Sequence, residues 1–226
     1  MRRHSKRYEQ ARSLIDRNKR YTIAEALEII KKFPKAKFEE SIEISIKLGI
    51  DPKQSEQQVR GSVALPNSLG KTKRVIAFAE GQAAEEAKAA GAIAVGTQDL
   101  VEKIQGGWTD FDVAVASPDM MRFVGKLGRI LGPLGKMPSP KSGTVTDNVA
   151  RAVKEFSAGR IEYRNDSGGN LHAIVGKVSQ PTERLQENIE AFINHIRASQ
   201  PPGVKGTFIQ KVVISSSMGP GLILAV

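Results

Sequence analysis

From Ser41 to Leu48 polar and apolar residues alternate without a fault: Ile42, Ile44, Ile46 and Leu48 interleave with Ser41, Glu43, Ser45 and Lys47. A period of two marks a strand with one face in the core and the other in water, as in an antiparallel sheet. The pattern predicts a strand over residues 38–48, with Phe38 on the apolar parity and directed into the core. Asp51-Pro52 turns the chain, and Val59, Gly61, Val63 and Leu65 repeat the alternation in a second strand. Near the other end, Val212-Val213-Ile214 is β-branched and apolar, and Ser215-Ser216-Ser217-Met218-Gly219-Pro220-Gly221 then stops it abruptly. Arg160 to Arg164 and Leu171 to Val178 read as a strand and its returning partner around a turn at residues 165–170.

The helical period appears between these strands. Tyr8, Ala11, Leu14 and Ile15 are spaced for a short basic helix. Thr22 and Glu25 form a capping box ahead of Ile23, Ala26, Leu27 and Ile30, and Pro34 ends that helix. Leu185, Ile189, Phe192, Ile193 and Ile196 share one side of a helix over residues 182–197. The middle of the chain differs. Val75 to Ala79 and Phe111 to Ala116 are continuous apolar runs, as in strands covered on both faces, and helical stretches at 83–90, 98–105 and 145–157 alternate with them. A short strand is expected at Ile93 to Val95, and Pro118 opens a further helix, with Trp108, Met120 and Met121 in its core or rim. The expected fold combines α/β and α+β: a discontinuous α+β domain built from both termini, residues 1–67 and 160–226, with an inserted Rossmann-like three-layer α/β domain at residues 68–159. Two chain crossings would join the domains and act as a hinge.

Charge sharpens this division. The chain carries a formal +10 with a pI near 9.8, which points to a polyanionic partner. Residues 1–67 hold 15 basic and 9 acidic groups, residues 160–226 hold 7 and 5, and the middle holds 12 and 10. The two ends therefore carry most of the excess. No apolar run of 18 residues is present, so no membrane partner is expected, and the absence of cysteine fits a reducing cytoplasm.

Enzymatic chemistry finds little support. Gly125, Gly128, Gly132 and Gly135 lack dinucleotide-loop spacing, and Gly70-Lys71 and Gly135-Lys136 lack the earlier glycine of a phosphate loop. His4, His172 and His195 are not spaced as metal ligands. No cofactor or metal is expected, and no catalytic residue is assigned; a Rossmann-type RNA-modifying enzyme is the alternative reading. For nucleic acid, the hydroxyls of Ser215 and Ser217 at a strand tip can donate to phosphate and accept from ribose. Arg164 and Asp166 offer a donor fork and an acceptor in a turn, His172 a strand-start contact, and His4, Lys6 and Arg7 a basic segment. The glycine- and proline-rich stretch from Gly128 to Pro138 is a further candidate contact.

In this order the pieces resemble the L1 family of large-subunit ribosomal proteins in its bacterial form. The residues that carry the resemblance are Tyr21-Thr22-Ile23, Ala36-Lys37-Phe38-Glu39-Glu40-Ser41, Val59-Arg60-Gly61, Leu131-Gly132-Pro133, Tyr163-Arg164-Asn165-Asp166, Ile174-Val175-Gly176-Lys177 and Ser217-Met218-Gly219-Pro220-Gly221. The resemblance implies a structural constituent of the ribosome that binds 23S rRNA at the mobile stalk beside the tRNA exit site and aids release of deacylated tRNA. It also implies repression of translation through the protein's own mRNA, and a monomer off the ribosome. Carried over by position, Lys37, Phe38 and Ser41 on one strand and Ser217, Met218 and Gly219 on another form the RNA surface. Ser41 and Ser217 stand where threonine is usual in the family; each keeps the hydroxyl and loses a methyl.

Overall fold

The computed structural model describes residues 4–70 and 72–225. Arg2 and Arg3 of the basic segment, and Lys71 of the dismissed Gly-Lys pair, lie outside those residues. Contacts divide the chain into two compact units, Met1–Gly70 with Ile161–Val226, and Lys71–Arg160. The first unit opens with α1 (Lys6–Ser13), α2 (Ile23–Lys31), β1 (Ser41–Leu48) and β2 (Arg60–Val63). The second holds β3 (Val75–Phe78), α3 (Gln82–Ala89), β4 (Ala94–Gly96), α4 (Gln98–Gln105), β5 (Val113–Ala116), the short helices α5 (Met121–Val124) and α6 (Gly128–Leu131), and α7 (Val149–Ser157). The first then resumes with β6 (Ile161–Arg164), β7 (Asn170–Lys177), α8 (Thr182–Ala198), β8 (Ile209–Ser216) and β9 (Leu222–Ile223). The protein is a mixed α/β chain, and among the described residues no helix is long and apolar enough to cross a membrane.

In the first unit β1 is paired on both edges. It runs antiparallel to β7, with Ser45 opposite His172, and antiparallel to β8, with Ile44 opposite Ile214. The sheet order is β7-β1-β8-β9. Burial along β1 alternates as the sequence does, with Ile42, Ile44, Ile46 and Leu48 in the core. Leu27 and Ile30 of α2 and Leu185, Ile189, Phe192, Ile193 and Ile196 of α8 join the same cluster. The capping box of α2 forms: Glu25 N donates to Thr22 Oγ1 at 3.3 Å, and Thr22 N donates to Glu25 Oε2 at 3.1 Å. Asn188 is buried on α8 with its amide fully used. Its Nδ2 donates to Val175 O at 2.9 Å and Asn67 O at 3.2 Å, and its Oδ1 accepts from Asn67 N at 2.9 Å. β2 and β6 make a separate antiparallel pair. There Gly61 leaves room for Tyr163, because a Cβ would sit 2.6 Å from the phenol oxygen.

In the second unit β3 lies between β4 and β5 in a parallel sheet. Ile76, Phe78, Ala114 and Ala116 face one apolar cluster with α4 and α6; Val75, Ala77, Val113 and Val115 face another with α3 and α7. That is why these strands read as unbroken apolar runs. Met120 is buried there, and Trp108 and Met121 are packed at its margin.

The structure corrects several expectations. β1 begins at Ser41, so the strand parity does not reach Phe38, which is 56% exposed rather than in the core. The strand at 160–164 pairs with β2, and β7 pairs with β1, so the two are not a simple hairpin; a bridge between Asn165 and Leu171 links them. The helix expected from Val145 starts at Val149, because Asn148 caps it and Val145 bridges in parallel to Ala116. The helix expected after Pro118 is broken into short turns. Leu14 falls at the end of α1 and is exposed.

Asn188→Ala leaves the amide and carbonyl of Asn67 without their partner and should lower unfolding stability by about 1–3 kcal/mol. Urea denaturation measures this; an unchanged midpoint would contradict the packing described.

Candidate nucleic-acid interface

The first end of β1 and the last end of β8 are joined beyond their ladder. Ser217 N donates to Ser41 O at 3.0 Å, and Ser41 N donates to Ser217 Oγ at 3.0 Å. The serine side chain thus continues strand pairing where the backbone begins to turn. Lys177 Nζ donates to Ser41 Oγ at 2.9 Å from the other edge. Beneath this joint lies the buried carboxylate of Glu40. Its Oε1 accepts from Arg7 Nη1 at 3.0 Å and its Oε2 from Met218 N at 3.2 Å; the Ser216 hydroxyl also bonds it. Burial pushes the Glu40 carboxyl upward. The Ser216 hydroxyl, the Met218 amide and the Arg7 guanidinium outweigh that and hold it below the ordinary glutamate value.

On this framework Phe38 and Met218 stand 56% and 53% exposed, with Lys37 exposed beside Phe38. Exposed apolar side chains grouped at one place mark a contact surface more often than ones scattered singly. Gly219 closes the turn, its amide donating to Ser216 O at 3.1 Å. A Cβ there would lie 2.4 Å from Ser216 Oγ and 3.0 Å from the Phe33 ring, so internal packing already excludes a side chain. Ser215 lies half-buried opposite Glu43. A cleft of about 380 Å³ adjoins Phe38, with Ile30, Phe33, Glu40 and Ser216 in its walls.

Asp166 lies beyond the other end of β1, where Leu48 N donates to Gly169 O at 2.9 Å, while Arg164 belongs to the separate β2–β6 pair. His172 pairs with Ser45, four residues along β1 from Ser41, about 13 Å at the usual strand rise. Asp166 shapes the turn: its Oδ1 accepts from Asn170 N at 2.7 Å and Gly168 N at 2.8 Å. The Asn170 side chain and these amides hold its carboxyl down at about 2. His172 bridges Ser45, with Nδ1 to Oγ at 3.0 Å, and Asp166, with Nε2 to Oδ2 at 3.6 Å. Arg164 is exposed on β6. The candidates are therefore not all brought together: one group sits at the Ser41 end of β1, Asp166 at the Leu48 end, His172 opposite mid-strand and Arg164 on a different sheet.

The basic N-terminal residues behave differently from one another. His4 stacks on Tyr8 with ring centroids 4.6 Å apart, and Lys6 is exposed. Arg7 faces inward, bonded to Glu40 and lying 3.5 Å from Pro34 O, so its guanidinium is engaged by the protein. In the stretch from Gly128 to Pro138, Lys136 is also engaged, donating to Thr109 O at 2.9 Å, while Leu134 is exposed. Glu40 was given no part by the sequence reading, although a signal was there. It continues the inward parity of Ile42, Ile44 and Ile46, and an acid on a core parity needs partners. Among the described residues no cluster of His, Asp or Glu is arranged to hold a metal ion.

Residues 30–220 match the ribosomal protein L1p/L10e family. The chain is 57% identical over 218 residues to the large ribosomal subunit protein uL1 of Kosmotoga olearia, covering 96% of this chain and 94% of that protein. It is 56% identical over 223 residues to the protein of the same name from Thermosipho africanus, covering 98% and 96%.

The low Asp166 value has a pH signature. The turn stabilisation is complete above the ordinary aspartate value of 3.8 and is lost as pH falls through about 2. The difference in denaturation midpoint between the parent and Asp166→Asn should hold steady at neutral pH and shrink over that acid window. A difference independent of pH would contradict the assignment.

Proposed function

The chain belongs to the ribosomal protein L1p/L10e family, a large-subunit ribosomal protein and not an enzyme, and we propose that it binds 23S rRNA through the joint between β1 and β8. The observation that carries the proposal is the exposure of Phe38 and Met218 on a hydrogen-bonded strand platform. An aromatic ring presses on a ribose or base at little entropic cost, and a methionine adapts its apolar surface to an irregular partner. Lys37 adds charge beside them, and the formal +10 favours encounter with a polyanion. Ser41 and Ser217 act first on each other's strands; their hydroxyls retain acceptor capacity for a ribose. Asp166 and His172 form a second, smaller contact along the same sheet, joined by Arg164 from the β2–β6 pair, and Ser215 lies on the sheet face between the two.

On this reading the protein sits on the mobile stalk beside the tRNA exit site of the cytoplasmic ribosome and aids release of deacylated tRNA. The same surface, bound to a similar fold in the protein's own mRNA, represses translation; off the ribosome the protein is a monomer. The unit Lys71–Arg160 is an inserted Rossmann-like domain, and loop residues at its two crossings serve as the hinge. The alternative of a Rossmann-type RNA-modifying enzyme falls with the family assignment.

Binding of the full chain to a 23S rRNA stalk fragment tests the proposal. Phe38→Ala should weaken it by about 1–3 kcal/mol, the usual worth of a stacked contact. Full affinity in the Phe38→Ala/Met218→Ala double variant would overturn the site. If about five phosphates are neutralised, log affinity should fall with log salt at a slope of roughly −3.5 to −4.5. A flat dependence would point to a different partner.

A further inference from the structure

We infer that Glu40 is the positioning residue of this interface: its carboxylate sets the Ser216–Gly219 turn, and with it the pose of Met218, while Arg7 serves as its counter-ion. The inference rests on the RNA-binding reading for its consequence, but its geometry stands alone. The carboxylate receives three kinds of donor from two distant parts of the chain: the Arg7 guanidinium of α1, the Ser216 hydroxyl and the Met218 amide. Glu40 itself precedes β1, and its carbonyl accepts from Val178 N at 3.0 Å just beyond β7. The residue therefore touches both partner strands at the end where the backbone ladder stops.

A surface turn anchored only by backbone bonds opens readily, because few buried contacts resist it. Here a buried anion grips the amide of the exposed residue. A charged acceptor makes a stronger hydrogen bond than a neutral one, and burial leaves little water to compete. Arg7 neutralises the anion, so α1 is a brace for the contact surface. The most basic segment of the chain thereby acts through one inward arginine, besides whatever its exposed cations meet.

Glu40→Gln keeps the shape and removes the charge. In the RNA-free full chain, we expect the Met218 amide proton to move upfield in the proton–nitrogen spectrum. Amide exchange should quicken about tenfold at Ser217 to Gly219, while amides of α8 keep their protection. The 23S rRNA stalk fragment should bind about tenfold more weakly, with the salt slope unchanged because no phosphate contact is lost. Arg7→Gln should loosen the same turn to a smaller degree. Unchanged exchange and an unmoved Met218 amide in Glu40→Gln would overturn the inference, as would a loosened turn with undiminished RNA affinity. A parent protein that fails to bind the RNA would instead sink the function proposed above, leaving the exchange result to decide the positioning of the turn. General unfolding, seen as lost protection in α8, is distinguished by repeating the measurement with Glu40→Asp, which retains the charge and should recover part of the protection at the turn.

Discussion

Everything in the first unit depends on β1 being paired along both edges by strands from the far end of the chain. β7 and β8 lie more than a hundred residues away in sequence, yet they fix the register of β1 on either side. Slipping β8 by one residue would turn its own Val212 and Ile214 into water, and slipping β7 would do the same to Leu171, Ala173 and Val175, so the register is tightly specified. The sheet's outer face, and the ends where its strands stop together, follow from that constraint.

The two ends of β1 solve the same problem differently. At one, Asp166 gathers amides within a single exposed turn, which β1 also holds through Lys47 Nζ on Gly168 O and Leu48 N on Gly169 O. At the other, Glu40 gathers donors from α1 and from the end of β8. The first makes a well-formed turn; the second makes a joint whose geometry depends on three separated stretches. Phe38 and Met218, the large apolar side chains exposed there, flank that joint, Phe38 in the stretch before β1 and Met218 in the turn after β8 whose amide Glu40 holds.

Much of this was legible in the residues. The faultless alternation of β1, the capping box at Thr22, the apolar side of α8 and the unbroken runs of β3 and β5 each reflect one local period, and each formed as read. What escaped was set by pairing over distance. Parity alone put Phe38 inward, since no local feature announces that the partner strands end at Ser216 and Lys177. The β6 and β7 stretches looked like a hairpin because their turn is short and polar, whereas the strands separate toward β2 and β1. Arg7 looked like a surface cation because its partner lies 33 residues on. Gly219 stands on the RNA surface by position in the resemblance, and its nearest constraint proved to be Ser216 and Phe33.

The central claim is that RNA is gripped where the first strand of the chain and its last long strand end together. Hydrogen–deuterium exchange of the full chain, with and without a 23S rRNA stalk fragment, tests it most directly. The account predicts that binding slows exchange at residues 36–41 and 215–219, with a lesser effect at 164–172. Protection confined to the unit spanning residues 72–160, with the β1–β8 joint unchanged, would contradict it.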